Sequence, residues 1–193
     1  MVSPMRAKVK EFSYADLLTW PENERWELIE GVAYDMSPAP SRRHQKVAAE
    51  LFGQFWLFLN GRLCEVYMAP FDVRLPDHAE DGMSATTVVQ PDITIVCDRE
   101  KLDERGCLGS PTLVVEVLSP ATANKDWREK FHAYQRAGVQ EYWIVSPSDK
   151  TLIVFTLDMH GCYGAPTTFG NEEHAPVGVL PGLTIDLGRV FAE

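Results

Sequence analysis

Asp92, Glu116 and Lys130 stand in surroundings where a charged group needs a reason. In Leu113-Val114-Val115-Glu116-Val117-Leu118-Ser119 a lone carboxylate sits among the aliphatic residues of what reads as a central strand, where an uncompensated buried charge is costly. Strand alternation sets Glu116 on the face shared by Val114 and Leu118. A strand-end carboxylate facing solvent is the other reading of this run. Asp92 opens the apolar run Ile93-Thr94-Ile95-Val96 directly after Pro91, a position where aspartate also commonly bonds the nearby backbone. Lys130 lies at the edge of a helical stripe formed by Trp127, Phe131, Tyr134 and Gly138, within reach of a sheet beneath it. The alternative for Lys130 is an i,i+4 ion pair with Asp126, its stem covering apolar surface. On either reading Lys130→Met is expected to barely reduce stability.

Taken together the three residues form a coherent chemical set. Two carboxylates from adjacent strands can share a hard divalent cation such as Mg²⁺ or Mn²⁺, which keeps waters in its shell and accepts phosphate oxygens. Such an ion lowers the pKa of bound water and offsets charge developing on a phosphodiester. A nearby ammonium would orient that water or stabilise the transition state.

The elements that must position these residues follow from periodicity and breakers. Tyr14–Trp20, stopped by Pro21, reads as a short helix. Trp26, Leu28, Val32, Tyr34 and Met36 alternate on either side of Glu30-Gly31, which predicts a β-hairpin turning at the glycine and closed by Pro38 and Pro40. Ser41–Asn60 is the strongest helix, with Val47, Leu51, Phe55 and Phe58 on one face and Asn60-Gly61 as its stop. Cys64–Leu75, Asp92–Val96, Leu113–Leu118, Tyr142–Val145 and Leu152–Leu157 read as strands, and Ala123–Ala137 as a helix ended by Gly138. That helix makes a right-handed parallel crossover between the strands flanking it, while the earlier strands pair antiparallel. Pro76–Gln90 and Asp98–Ser110 read as loops, and Leu180–Phe191 as a short strand and turn. The expected fold is α/β, with a mixed central sheet flanked by helices and an N-terminal hairpin. No repeat or linker divides the 193 residues, which are read as a single domain.

Composition limits the function classes. The apolar stretch Leu51–Leu59 is interrupted by Gly53 and Gln54 and falls far short of the roughly 20 residues of a membrane span. Residues 1–11 lack the apolar core of a secretion signal and read as a frayed terminus, so a cytoplasmic location is expected. Cys64, Cys97, Cys107 and Cys162 are irregularly spaced and read as reduced thiols; with the histidines equally scattered, no zinc-ligand spacing appears. With 18 Lys+Arg against 28 Asp+Glu, the net charge of −10 opposes loose binding to nucleic acid. Any such contact must use a local patch: Arg42, Arg43, His44 and Lys46, or Lys125, Arg128, Lys130, His132 and Arg136. Solvated helix surface is the plainer reading of each patch alone.

Pro91-Asp92, Glu116-Val117-Leu118-Ser119-Pro120, Asp126, Lys130, Tyr134, Gly138-Val139 and Glu141-Tyr142-Trp143-Ile144-Val145 occur in that order. This succession resembles the Uma-two family of restriction-endonuclease-like proteins, within the PD-(D/E)-x-K nuclease superfamily. The likeness covers about residues 14–157, including Glu27-Leu28-Ile29-Glu30-Gly31 and His44. It implies a restriction-endonuclease-like core of helix, three strands, helix and strand. It further implies Asp92 and Glu116 as Mg²⁺ or Mn²⁺ ligands, Lys130 as the catalytic lysine, and DNA as substrate. Glu30 and His44 resemble the family's N-terminal polar positions and are auxiliary candidates, as is Ser119. The superfamily motif places its lysine two residues after the second carboxylate, where this chain has Leu118; Lys130, from the following helix, would substitute for it. A homodimer stays open.

Two function classes therefore compete. One is Mg²⁺-dependent hydrolysis of DNA phosphodiesters. The other is a binding or assembly protein that keeps the fold, with Asp92, Glu116 and Lys130 as a structural ion network, which the negative net charge favours. A small-molecule α/β enzyme has little support, since the G-x-S-x-G, P-loop and G-x-G-x-x-G patterns are all missing from the sequence.

Overall fold

The computed structural model describes residues 11–36, 39–76, 82–119 and 126–192, with the side chain of Asp126 outside the description. The expectations for the N-terminal ten residues, for Pro38, for residues 77–81, for the start of the second helix at 123–125 and for the Asp126–Lys130 pair fall outside these limits.

Helix α1 (Tyr14–Leu17) starts at a capping box in which Ser13 and Asp16 satisfy each other's backbone N–H groups. Strands β1 (Trp26–Ile29) and β2 (Val32–Asp35) form the expected hairpin. Glu30 and Gly31 both have positive φ, as a two-residue hairpin turn of the right twist requires. Helix α2 (Arg42–Leu59) lies between its cap residues Ser41 and Asn60, matching the predicted span, and buries Val47, Leu51, Phe55 and Leu59.

The predicted strand Cys64–Leu75 is two strands, β3 (Glu65–Met68) and β4 (Val73–Arg74), separated at a cis Ala69–Pro70 bond. Next come β5 (Val88–Val89) and β6 (Ile93–Val96), then β7 (Leu102–Asp103), β8 (Gly106–Leu108) and β9 (Leu113–Val117). The two stretches read as loops thus contain short strands. Each is only two or three residues long, too short for a period-2 pattern to register. A π-helical turn (Asp126–Lys130) leads into α3 (Phe131–Ala137), which ends at Gly138 in the left-handed conformation. Strands β10 (Glu141–Ser146), β11 (Thr151–Thr156), β12 (Thr167–Gly170), β13 (His174–Pro176) and β14 (Thr184–Asp186) follow, and α4 (Leu187–Val190) closes the described chain.

The central sheet has the order β12-β11-β10-β9-β6-β3, with β9 and β10 parallel and its other pairs antiparallel. It is mixed, as expected. All residues of β9 and β10 are buried, as suits strands covered on both faces. Leu113, Val115 and Val117 pack with Trp143 and Val145 under α2 and α4. The alternate residues Val114, Tyr142 and Ile144 face the other way, against Ala133 and Tyr134 of α3 and against Ile29, Val73 and Val89. Those last three belong to a second sheet, ordered β2-β1-β5-β4-β8-β7. Glu116 shares the face of Val114, so its carboxylate enters the space between the central sheet, α3 and the hairpin.

The cysteines correct the sequence reading. Cys64 and Cys97 form a disulfide, and only the buried Cys107 and the exposed Cys162 are free thiols. The cause is register: β3 and β6 pair Glu65 with Val96, so the residues one step outward, Cys64 and Cys97, face each other. Spacing in the sequence could not reveal this, because it depends on where the strands align. Among the described residues, no helix is long and apolar enough to cross a membrane.

Candidate active site

Strands β6 and β9 run antiparallel with Ile93 opposite Val115. Continuing that register by one residue sets Asp92 opposite Glu116, on the same face of the sheet, where directly facing Cβ atoms lie about 4.5–5.5 Å apart. The Val117 N–H donates to Asp92 Oδ2 at 2.8 Å, tying the aspartate to the end of β9. His44, in the first turn of α2, brings Nε2 to 3.2 Å from the same Oδ2. That turn is held by the Ser41 hydroxyl, which accepts the His44 N–H.

Lys130 is the centre of the cluster. Its Nζ lies 2.8 Å from Glu116 Oε1 and 2.8 Å from Glu27 Oε1. Glu27 is fully buried, and Glu116 and Lys130 are 4% and 2% exposed, which makes this a charged group sealed between sheets, not a surface pair. The Tyr134 hydroxyl donates to Glu116 Oε1 at 2.7 Å. The Gln90 backbone N–H donates to Glu27 Oε1 at 2.9 Å, fastening the hairpin to the segment that leads into Asp92. Burial, then the negative charges of Glu116 and Glu27, hold the Tyr134 phenol far above its ordinary pKa, so it stays a neutral donor.

The fold thus brings Asp92, Glu116, Lys130 and His44 together. It does not bring Glu30 there: that side chain is exposed at the hairpin turn, where it pairs with Arg136 at 2.8 Å. The N-terminal carboxylate of the cluster is Glu27, three residues earlier, which the sequence reading passed over. Ile29 packs toward the central sheet, and alternation within β1 puts Glu27, not Glu30, on its face. Ser119 is half-buried just past β9.

Lys130 is not the edge residue that the stripe implied, whereas Trp127 is 40% exposed. The π turn takes about one residue more than an α turn, so Trp127 leaves the stripe on which an unbroken α-helix would keep it. Burial of Lys130 between two carboxylates also overturns the expectation that Lys130→Met would be nearly neutral for stability.

The donor set fits a hard cation bound mainly through water. Asp92 Oδ1 makes no hydrogen bond among the described residues, and its side chain is 22% exposed. Two carboxylates from adjacent strands are an ordinary complement for Mg²⁺, which keeps several waters in its own shell. Among the described residues, no group of three or more His, Cys, Asp and Glu is arranged to hold a metal ion, so any ion at Asp92 and Glu116 would complete its shell with water.

Comparison with known proteins agrees with this architecture. A crystal structure from Anabaena variabilis, described as a putative nuclease belonging to DUF820, superposes with a TM-score of 0.74 over 93% of this chain and 97% of that one. The two are 18% identical, so the likeness is one of fold. An uncharacterized protein of Synechocystis is 28% identical over 143 residues, covering 72% of this chain and 71% of its own length. The family model Uma2, described as "Putative restriction endonuclease", matches residues 14–188. With that match spanning nearly the whole chain and a mixed α/β core of the restriction-endonuclease type beneath it, the chain belongs to the Uma2 family.

Proposed function

We propose that this protein is a metal-dependent endonuclease that hydrolyses DNA phosphodiester bonds at the end of the central sheet marked by Asp92 and Glu116. The observation that carries the reading is the strand register, which, extended one residue past β6, sets Asp92 opposite Glu116 of β9, with Lys130 2.8 Å from Glu116. Asp92 and Glu116 would hold Mg²⁺ or Mn²⁺. When bound, the ion supplies Lewis-acid polarisation of the phosphate and a more acidic water.

The chain's own groups do the rest. The Val117 N–H fixes Asp92 Oδ2, and Oδ1 would be the oxygen offered to the ion. Tyr134 holds Glu116 as a hydrogen-bonded carboxylate without adding charge. Lys130 offsets the negative charge of Glu27 and Glu116, and its ammonium would orient the attacking water or stabilise the charge that develops on the phosphate. His44 is a positioning residue for Asp92.

The rival reading, a binding or assembly protein with a structural ion network, has one specific observation in its favour: both carboxylates beside Lys130 are buried, and the ammonium contacts both. Isothermal titration with Mg²⁺ and Mn²⁺ separates the two readings, because the DNA substrate need not be known. Binding weakened by both Asp92→Ala and Glu116→Ala, in variants whose folding is intact, supports the nuclease. Affinity unchanged in both leaves the ion network.

A further inference from the structure

Of the two basic clusters in the sequence, the fold takes one apart. Lys130 is drawn between buried carboxylates and Arg136 pairs with Glu30. In the other, His44 turns inward to Asp92 while Arg42, Arg43 and Lys46 stay together. Arg42, Arg43 and Lys46 are all exposed at the start of α2, and spacings of four and three put their side chains on one face of the helix. With Val47, Pro147 and Phe191 they line a cavity of about 260 Å³.

Among the described residues none of the three forms an ion pair, whereas Arg74, Arg99, Arg136 and Arg189 each hold a carboxylate. In a chain with 28 acidic residues against 18 basic ones, a trio of cations without counter-charge runs against the composition. It also runs against the local electrostatics. The first turn of α2 carries no acidic residue, and cations there meet both one another and the positive end of the helix dipole. An anion in the cavity reverses both penalties.

The position of the cavity says which anion. His44, between Arg43 and Lys46 in sequence, reaches Asp92. Pro147 follows the last residue of β10, and β10 pairs Val145 with Val117, one residue past Glu116. Cavity and carboxylates therefore open at the same end of the central sheet, on strands that are neighbours at about 4.8 Å spacing. Guanidinium groups match phosphate oxygens in paired hydrogen bonds, and an ammonium adds a point charge. We infer that Arg42, Arg43 and Lys46 bind backbone phosphates of the nucleic-acid strand next to the phosphodiester held at Asp92 and Glu116. This inference rests on the nuclease reading. It also accounts for how so acidic a protein could hold a polyanion: through one local basic patch.

The test is the salt dependence of binding to a labelled DNA duplex, followed by fluorescence anisotropy with Ca²⁺ as the divalent cation. Each phosphate contact contributes about 0.9 to the slope of log K against log salt. Arg42→Gln, Arg43→Gln and Lys46→Gln are each expected to lower the slope by about one such increment, and the triple variant by two to three. Arg62→Gln, beyond the far end of α2, makes the same change in net charge and is expected to leave the slope alone. Thermal melts confirm that the variants fold. A triple variant with wild-type slope and affinity overturns the inference, while the nuclease reading stands on its separate metal titration. Wild-type protein that binds metal through Asp92 and Glu116 but no duplex overturns the inference and DNA as substrate together. Saturable binding of inorganic phosphate, lost in the triple variant while its duplex slope is unchanged, assigns the cavity to a small phosphorylated ligand and likewise overturns it.

Discussion

Lys130→Met deletes the ammonium but keeps an unbranched apolar side chain in its place. The ammonium lies 2.8 Å from Glu27 and 2.8 Å from Glu116, whose side chains are 0% and 5% exposed. Without it, two buried carboxylates lose the cation they share. Breaking a buried pair from one side costs about 3–5 kcal/mol, against about 0–1 kcal/mol for an exposed one. Since a domain's whole stability is about 5–15 kcal/mol, the variant is expected to lose a large share of it. Urea unfolding at pH 7, followed by tryptophan fluorescence, measures the loss. Glu27→Gln in the same chain removes one stranded charge, so the double variant is expected to be more stable than the two single losses summed, by about 0.5–3 kcal/mol. A Lys130→Met loss under about 1 kcal/mol would refute the reasoning, placing the lysine in solvent.

Burial, Asp72 and its hydrogen bond push the Tyr14 phenol up to about 12 from 10. The unfolded chain therefore releases this proton first, so stability falls as pH rises from 10 to 12, by up to about 1.4 kcal/mol per pH unit. Tyr14→Phe flattens that part of an alkaline stability profile, and an unchanged slope contradicts the assignment. Iodoacetamide at pH 8 is expected to label Cys162 alone in the native protein, since Cys107 is buried with its thiol pushed up to about 11. Mass spectrometry after unfolding should count two labels without reductant and four with it; four without reductant would mean that Cys64 and Cys97 are not bonded.

Much of this arrangement is legible in the sequence. The span of α2 follows from Ser41, the apolar spacing and Asn60-Gly61, and the hairpin from alternation about Glu30-Gly31. Glu116 and Asp92 stand out because each interrupts or opens an apolar strand. What the sequence conceals depends on register and on departures from ideal period. The Cys64–Cys97 bond and the meeting of Asp92 with Glu116 are alignments of separate strands, set by tertiary packing. The burial of Lys130 is masked by a π turn, which shifts residues off the 3.6-residue period on which the stripe was read. Glu27 is overlooked for a simpler reason: Glu30, at the turn, resembles a motif position, while the strand's alternation points to its neighbour.

Single-turnover cleavage of a DNA duplex with saturating Mg²⁺ tests the central claim most directly, using wild-type protein freed of contaminating nucleases beside Asp92→Asn and Glu116→Gln. The wild type is expected to cut, and each folded variant to cut at least about 100-fold more slowly, a loss of about 2.7 kcal/mol or more of transition-state stabilisation. Equal rates in all three proteins, or a wild type that binds the metal and leaves every duplex intact, would contradict the account.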